Sequence, residues 1–435
     1  MPTKLTQKQI IFIGFGFFIL VLIGVVVYFN LRHTNTASQA KLVVWGTDDQ
    51  KAMMAMINAY ESAHQGSQIT YKQINPASYE TQLLSALAAG TGPDVFEIND
   101  HDLPLWENVL APMPTTNAEQ FSTVTLQNDF PTVVGQDFVD NGSIYALPLS
   151  LDTLAMIYNK NLVDSAGIAE LPKTWDNFDA DVTRLRAMNA QGQITQAGAA
   201  IGGSEASIPN ATDILYLLML QNGTQMTSAL SSAAAFANAT GDANPGQAAF
   251  DFYLQFANAG SPYYTWNDSM GDAEASFIQG QTAIIFGNEA MLNDIKQKAP
   301  FLNYGIAPVP QPTGATVFVN YPNYEGLAVA RYGQVASAWD FVISTLTGPT
   351  DVALYNNDTG TPPALRSAIQ ANVNDPVLSV FGTQALTARS WHEVDSTKIN
   401  DIFNAAIVSV LSGSSDSTKA LQTAQAGVNT IINSQ

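Results

Sequence analysis

KLVVWGTDDQKAMMAMINAYESAHQGSQITYKQINPASYETQLLSALAAGTGPDVFEIND, residues 41–100, is the stretch that decides the fold. It opens with a short apolar run, residues 41–45, which stops at Gly46, Thr47, Asp48 and Asp49 as a buried parallel strand stops at a loop. Met53, Met56, Ile57 and Tyr60 then share one helical face. Asp48 or Asp49 can cap that helix by accepting from its unpaired first-turn amides. Residues 68–73 alternate as a second strand. Tyr79, Leu83 and Leu87 stripe a second helix, closed by Gly90. A third strand follows Pro93-Asp94 and ends in Asn99-Asp100-His101. Strand, helix, strand, helix, strand predicts right-handed crossovers and an open α/β sheet. Ligands of such sheets sit beyond the carboxyl ends of the strands, which places Trp45, Asp48, Asn99 and Asp100 on one rim.

At 435 residues the chain is long for one core, and its length predicts two or three domains. Hydrophobic residues make up 46%, enough for substantial cores, while charged residues are only 12%. Seventeen basic against 37 acidic residues give 17 − 37 = −20. That charge repels phosphate backbones and anionic lipid, so nucleic acid is not an expected partner. The absence of cysteine excludes disulfides, thiolate catalysis, Cys-bound zinc and a lipidated cysteine anchor. The four histidines are scattered, no metal site is legible, and no cofactor is implied.

Residues 10–31, IIFIGFGFFILVLIGVVVYFNL, carry no charge. At ~1.5 Å per residue such a helix crosses a ~30 Å hydrocarbon layer. Lys4 and Lys8 precede it and favour residues 1–9 staying in the cytoplasm, with the bulk of the chain outside. The expectation is a single-pass anchor over residues 10–31 and a polar linker over 32–40. The alternative is a cleaved signal peptide ending at Ser38-Gln39-Ala40, whose apolar region would ordinarily be shorter.

The blocks of residues 41–100 resemble the opening of family 1 extracellular solute-binding proteins, the group that includes maltose-binding protein. Four further blocks agree in order. Gly142-Ser143-Ile144-Tyr145-Ala146-Leu147-Pro148 is followed by LDTLAMIYNKNLVDSAGIAELPKTWDNF, then FIQGQTAIIFGNEAML, then TGTPPALRSA with Arg389-Ser390-Trp391 and a closing helix STKALQTAQAGVNTII. The resemblance covers residues 41–435. It implies a two-lobed periplasmic-binding-protein fold of the second type, each lobe a mixed sheet flanked by helices. The lobes it implies are residues 41–147 with 306–330, and residues 148–305 with 331–435. Crossovers near 147–150, 303–306 and 330–333 would form a hinge on which two lobes close over a ligand. It also implies the capture component of an ABC importer, a monomer that takes a sugar and delivers it to permease subunits.

Sugars present apolar ring faces and rings of hydroxyls, so a site for them needs aromatic platforms with carboxylates and amides. The expected contacts are Trp45, Asp48, Asp100, Asp152, Trp266, Tyr321, Tyr324 and Trp391. By resemblance Asp152 falls where relatives place an acidic ligand contact, and Trp391 where an aromatic stacks on sugar. Asn288 and Glu289 occupy a loop where relatives frequently carry a stacking Trp, and Tyr321 and Tyr324 can take over that stacking. Each has a structural alternative: Trp45 can pack under a loop, Asp48 can be only a cap, and Asp152 and Glu289 can be solvated. Trp106, Trp175 and Trp339 read as core, and Met53, Met54 and Met56 as helix packing.

No nucleophile elbow or phosphate-cradling loop occurs in the chain. Two other functions stay open. A glycoside hydrolase would need paired carboxylates ~5–9 Å apart, such as Asp152 with Glu289 or Asp100. A tethered sensor of the same fold would read the same lobe closure.

Overall fold

The computed structural model describes residues 40–228 and 232–434, so the expected anchor over residues 10–31 and linker lie outside the described residues. Among the described residues no helix is long and apolar enough to cross a membrane.

The opening stretch folds as its pattern predicts. It forms β1 (Lys41–Gly46), α1 (Gln50–Ala63), β2 (Gln68–Gln73), α2 (Pro76–Ala88) and β3 (Val95–Asn99). β1 pairs in parallel with both β2 and β3. Asp49, not Asp48, caps α1, its Oδ1 accepting from Lys51 N at 2.8 Å and Ala52 N at 3.3 Å. Met53, Met56 and Ile57 are fully buried on the face turned to the sheet, a burial that stabilises by about 1.5–3 kcal/mol per side chain. Gly90, at φ +70°, supplies the left-handed residue that ends α2.

Farther along run β4 (Ala146–Pro148), β5 (Ala155–Asn159), β6 (Ile284–Gly287), β7 (Tyr304–Ala307) and β8 (Glu325–Val329). The first sheet has the order β2-β1-β3-β8-β4, with β8 antiparallel to both its neighbours. The second sheet is β6-β5-β7, both outer strands antiparallel to β5. Two separate hydrophobic cores result, one under each sheet. The chain therefore has a two-lobed α/β architecture.

The helices sort between these cores. α3 (Trp175–Leu185) is capped by Thr174, whose hydroxyl accepts from Asn177 N, and it buries Trp175 and Phe178 in the second core. α4 (Ala211–Gln221) joins it with Ile214, Leu215, Tyr216 and Leu217 all buried. α5 (Glu289–Lys298) starts directly after β6. α6 (Val335–Thr347) and α7 (Pro349–Thr359) belong to the first core, through Trp339, Val342, Val352 and Tyr355. α8 (Ser396–Leu411) and α9 (Ser417–Ile432) complete the second.

This sorting corrects two expected crossovers and the lobe boundaries drawn from them. Residues 304–307 stay in the second lobe, because β7 pairs with β5. The chain changes lobe instead between Tyr321, in the second core, and Tyr324, in the first. Residues 335–369 do not join the second lobe, since α6 and α7 pack on α1 and cover the first sheet. The third crossing runs through residues 370–391. The first crossing lies at 149–154, next to its expected place, where Leu151 and Leu154 fall in different cores. Asp152–Thr153 pairs there with Pro322–Asn323, which ties the first two crossings together.

Candidate functional site

The lobes meet at the carboxyl end of β3. Asn99 Oδ1 accepts from His101 N at 3.1 Å and forms a tight turn. Asn99 and Asp102 line one cavity, Asp100 lines another, and His101 lines both.

The first cavity has a volume of about 430 Å³. Asn99, His101 and Asp102 form its first-lobe wall, with Asn323 at the crossing. Glu205 and the first turn of α4, with Thr212 and Asp213, face them from the second lobe. The first turns of α8 add Ser396, Thr397, Asn400 and Asp401. Asp395 caps α8 by accepting from Lys398 N, which leaves Ser396 Oγ free to reach across the seam and donate to Asp102 Oδ1 at 2.7 Å. Thr212 donates to Glu205 Oε1 at 2.9 Å, and Tyr216 donates to Asn400 Oδ1 at 2.8 Å. Burial pushes the Asp102 carboxyl up to about 6, and burial with the neighbouring Glu205 pushes Asp213 up to about 7. Hydroxyls, amides and carboxylates thus converge from both lobes on one space, which suits a neutral guest with many hydroxyls.

The partition between the cavities is His101, Tyr321 and Glu393. Tyr321 donates to Glu393 Oε1 at 3.0 Å, and its hydroxyl lies 3.1 Å from His101 Nε2 with the two rings stacked. Burial pushes His101 down to about 3, so the imidazole is neutral. The second cavity, of about 640 Å³, is lined by Asp100, Glu107, Asp137, Trp391 and Glu393 among others.

The expected contacts divide. Asp100 and Trp391 line the second cavity, and Tyr321 forms the partition. Trp45 lines neither of the two seam cavities. It lies in the first core beside β2, with Lys72 Nζ 3.7 Å from its ring centroid. Asp48 is drawn into the first lobe, accepting from Tyr355 at 2.6 Å, and its carboxylate meets those of Glu97 and Glu325 within 4.8 Å. Trp266 is corrected to a core residue: it is fully buried and its Nε1 donates to Ser207. Tyr324 is corrected likewise, its hydroxyl donating to Asp137 at 2.7 Å within the first core. Asp152 turns inward, accepting from Thr153 N and Glu289 N, both at 2.7 Å, and so holds the first turn of α5. Burial raises its carboxyl to about 8. Asn288 is the cap of α5, accepting from Met291 N. Glu289 is buried beside Gly360, where a Cβ would sit 3.1 Å from its Oε1.

The sequence reading missed His101, Asp102, Glu205, Asp213 and Asn400. The signal for Asp102 was at hand, since the third strand's exit continues past Asp100. The Asp395-Ser396 cap ahead of an apolar helix pointed in the same way to Asn400. Nothing local marks Glu205.

The sequence pattern of the family described as bacterial extracellular solute-binding protein matches residues 45–345. A binding protein of Brucella abortus (strain 2308) is 26% identical over 268 residues, 59% of this chain and 59% of that protein, so the match spans less than two thirds of the relative's length. The maltotriose-binding protein of Pyrococcus abyssi is 23% identical over 366 residues, 79% of this chain and 71% of its own. Among solved structures, the cyclic alpha-maltosyl-1,6-maltose binding protein from Arthrobacter globiformis superposes with a TM-score of 0.75 at 20% identity, covering 92% of this chain and all of that one. The sugar-binding protein MalE from Xanthomonas citri gives 0.75 at 19% identity, covering 91% and 98%. These two likenesses establish the two-lobed fold.

Proposed function

The chain belongs to the bacterial extracellular solute-binding protein family, and from that premise we propose that it captures a carbohydrate between its lobes and hands it to an ABC permease without altering it. The observation that carries the reading is the 430 Å³ cavity at the seam, where polar side chains from both lobes converge beyond the end of β3. Asp102 and Asp213 bind sugar hydroxyls as paired acceptors from opposite sides, with Asn400 and Thr212 completing the hydrogen bonds. A ligand bridging the lobes favours their closure, because it makes contacts in the closed arrangement that the open one lacks. Relatives named for maltotriose and for a cyclic maltosyl sugar support an oligosaccharide as guest.

The test is a thermal-shift and calorimetry screen of mono-, di- and oligosaccharides on the chain from residue 40 onward. A bound sugar is expected to raise Tm, since it binds only the folded form. Asp102→Ala and Asp213→Ala are each expected to weaken that sugar by about 1–2 kcal/mol, roughly 5- to 30-fold. Unchanged affinity in both variants would move the guest out of this cavity.

Residues 10–31 hold the binding lobes at the outer face of the membrane in this reading. Intact chain is expected to sediment with membranes, and chain lacking residues 1–39 to stay in the supernatant. A mature N-terminus near Lys41 would replace the anchor with a cleaved signal.

A further inference from the structure

No lysine or arginine lines the sugar cavity, so every hydrogen bond its guest accepts comes from an uncharged donor. Two of the hydroxyls there have already spent their protons, Ser396 on Asp102 and Thr212 on Glu205. His101 turns its ring nitrogens to Asp100, Tyr321 and Glu393. Donation to the guest therefore falls largely to the amides, Asn99, Asn323 and Asn400. Asn99, from the first lobe, has a fixed orientation. Its Oδ1 accepts from His101 N, a group that can only donate, which leaves Nδ2 for the guest.

Asn400, from the second lobe, is fixed by a different device. Its Oδ1 accepts from the hydroxyl of Tyr216 at 2.8 Å. Tyr216 is fully buried, and its ring packs among Tyr321, Trp391 and Phe403 at centroid distances of 5.7, 5.5 and 4.9 Å. Phenylalanine would fill that aromatic nest without the cost of burying a hydroxyl. The hydroxyl instead meets an atom of the cavity wall. Burial, with Glu393, Asp213 and Glu205 nearby, holds the phenol well above its ordinary range, so the proton stays on and is available to donate. Asn400 is only partly buried, and among the described residues its Nδ2 has no hydrogen-bond partner.

We propose, on the carbohydrate reading of this cavity, that Tyr216 is a positioning residue for the sugar site, which holds the Asn400 carbonyl so that the amide NH2 meets an acceptor oxygen of the guest. Each lobe then contributes one amide turned the same way, while Asp102 and Asp213 take hydroxyl protons. The guest has to place lone pairs at Asn99 and Asn400 and O–H groups at the two carboxylates. The acetal oxygens and hydroxyls of an uncharged oligosaccharide supply that pattern. Without the Tyr216 hydroxyl the Asn400 amide can turn over and present Oδ1 to the guest oxygen, two acceptors that cannot pair.

The experiment is a double-mutant cycle read by calorimetry, with maltotriose as the probe. Tyr216→Phe keeps the ring and is expected to weaken maltotriose about 3- to 10-fold, as is Asn400→Ala. The double variant is expected to bind no more weakly than Asn400→Ala alone, because the tyrosine acts only through the amide. A further loss of the same size in the Asn400→Ala background would mean a merely structural role for Tyr216 and overturns the proposal. So does full affinity in Tyr216→Phe. If maltotriose does not bind the wild-type protein, that sugar is not the guest, and the orientation is read without it. Protein ¹⁵N-labelled at asparagine, with the Asn400 side-chain signals assigned by their loss in Asn400→Ala, then reports solvent exchange of the two Nδ2 protons. Both are expected to exchange rapidly, as protons facing a cavity do. Strong protection of one would put Nδ2 on Tyr216 and overturn the assignment.

Discussion

The sugar-free protein is expected to lose several degrees of Tm between pH 5 and pH 8. Burial raises Asp152 to about 8 and Asp137 and Glu289 to about 7. Their unfolded values lie near 4. At pH 5 the folded chain therefore keeps protons on these carboxyls that the unfolded chain has largely released. At these carboxyls the unfolded state binds fewer protons, so their contribution to stability falls as pH rises toward the folded-state values. Buried His101, pushed down to about 3, opposes them below its ordinary value near 6.5. Each unit of raised pKa is worth ~1.4 kcal/mol, so these three groups together make a loss on the order of several kcal/mol. The net charge of −20 acts in the same direction, and salt separates the two, because it screens surface repulsion more than buried sites. Scanning fluorimetry across that range at high ionic strength is the measurement. A flat or rising Tm would mean these carboxylates are ionised and paired in solution, and Asp152→Asn is expected to flatten part of the slope.

Gln384→Leu is expected to destabilise the chain by about 3–5 kcal/mol. Gln384 sits in the short helix Leu378–Ala385, 2% exposed, with Phe381 on one side in the second core and Ala385 on the other in the first. Its Nε2 donates to Thr153 Oγ1 at 3.1 Å and to Leu154 O at 3.0 Å, and its Oε1 accepts from Val309 N at 2.9 Å. One amide thereby fastens the segment of the third crossing to the first crossing and to the second lobe just after β7. Leucine fills the same space but leaves three buried groups without these partners, each worth about 1–3 kcal/mol. Urea unfolding reads the loss directly. A change below about 1 kcal/mol would show that water replaces the amide and that the hinge is held elsewhere.

The first sheet was legible because its parallel strands are short apolar or alternating runs ending in turn chemistry, with caps and striped helices between. The crossings were less legible. Val335–Thr347 is an apolar helix that either lobe could use, and only its packing on α1 and β8 assigns it to the first. Two of the aromatic contacts, Trp266 and Tyr324, were corrected for a related reason. A Trp or Tyr at a strand end reads alike whether its ring enters a core or a groove. Trp266 found Ser207, Tyr324 found Asp137, and each was drawn inside. Short polar residues at helix starts proved the better guide to the seam, since a cap leaves its neighbour's side chain facing outward.

The first sheet is finished by a strand from far down the chain. β8 lies between β3 and β4 and hydrogen-bonds to both, yet it is made only after the whole second sheet. As the chain leaves the ribosome, β3 and β4 have an empty berth between them until β8 is made. Such a polypeptide is expected to complete its first sheet only once most of its length has been synthesised, so this lobe cannot close as an early, independent unit.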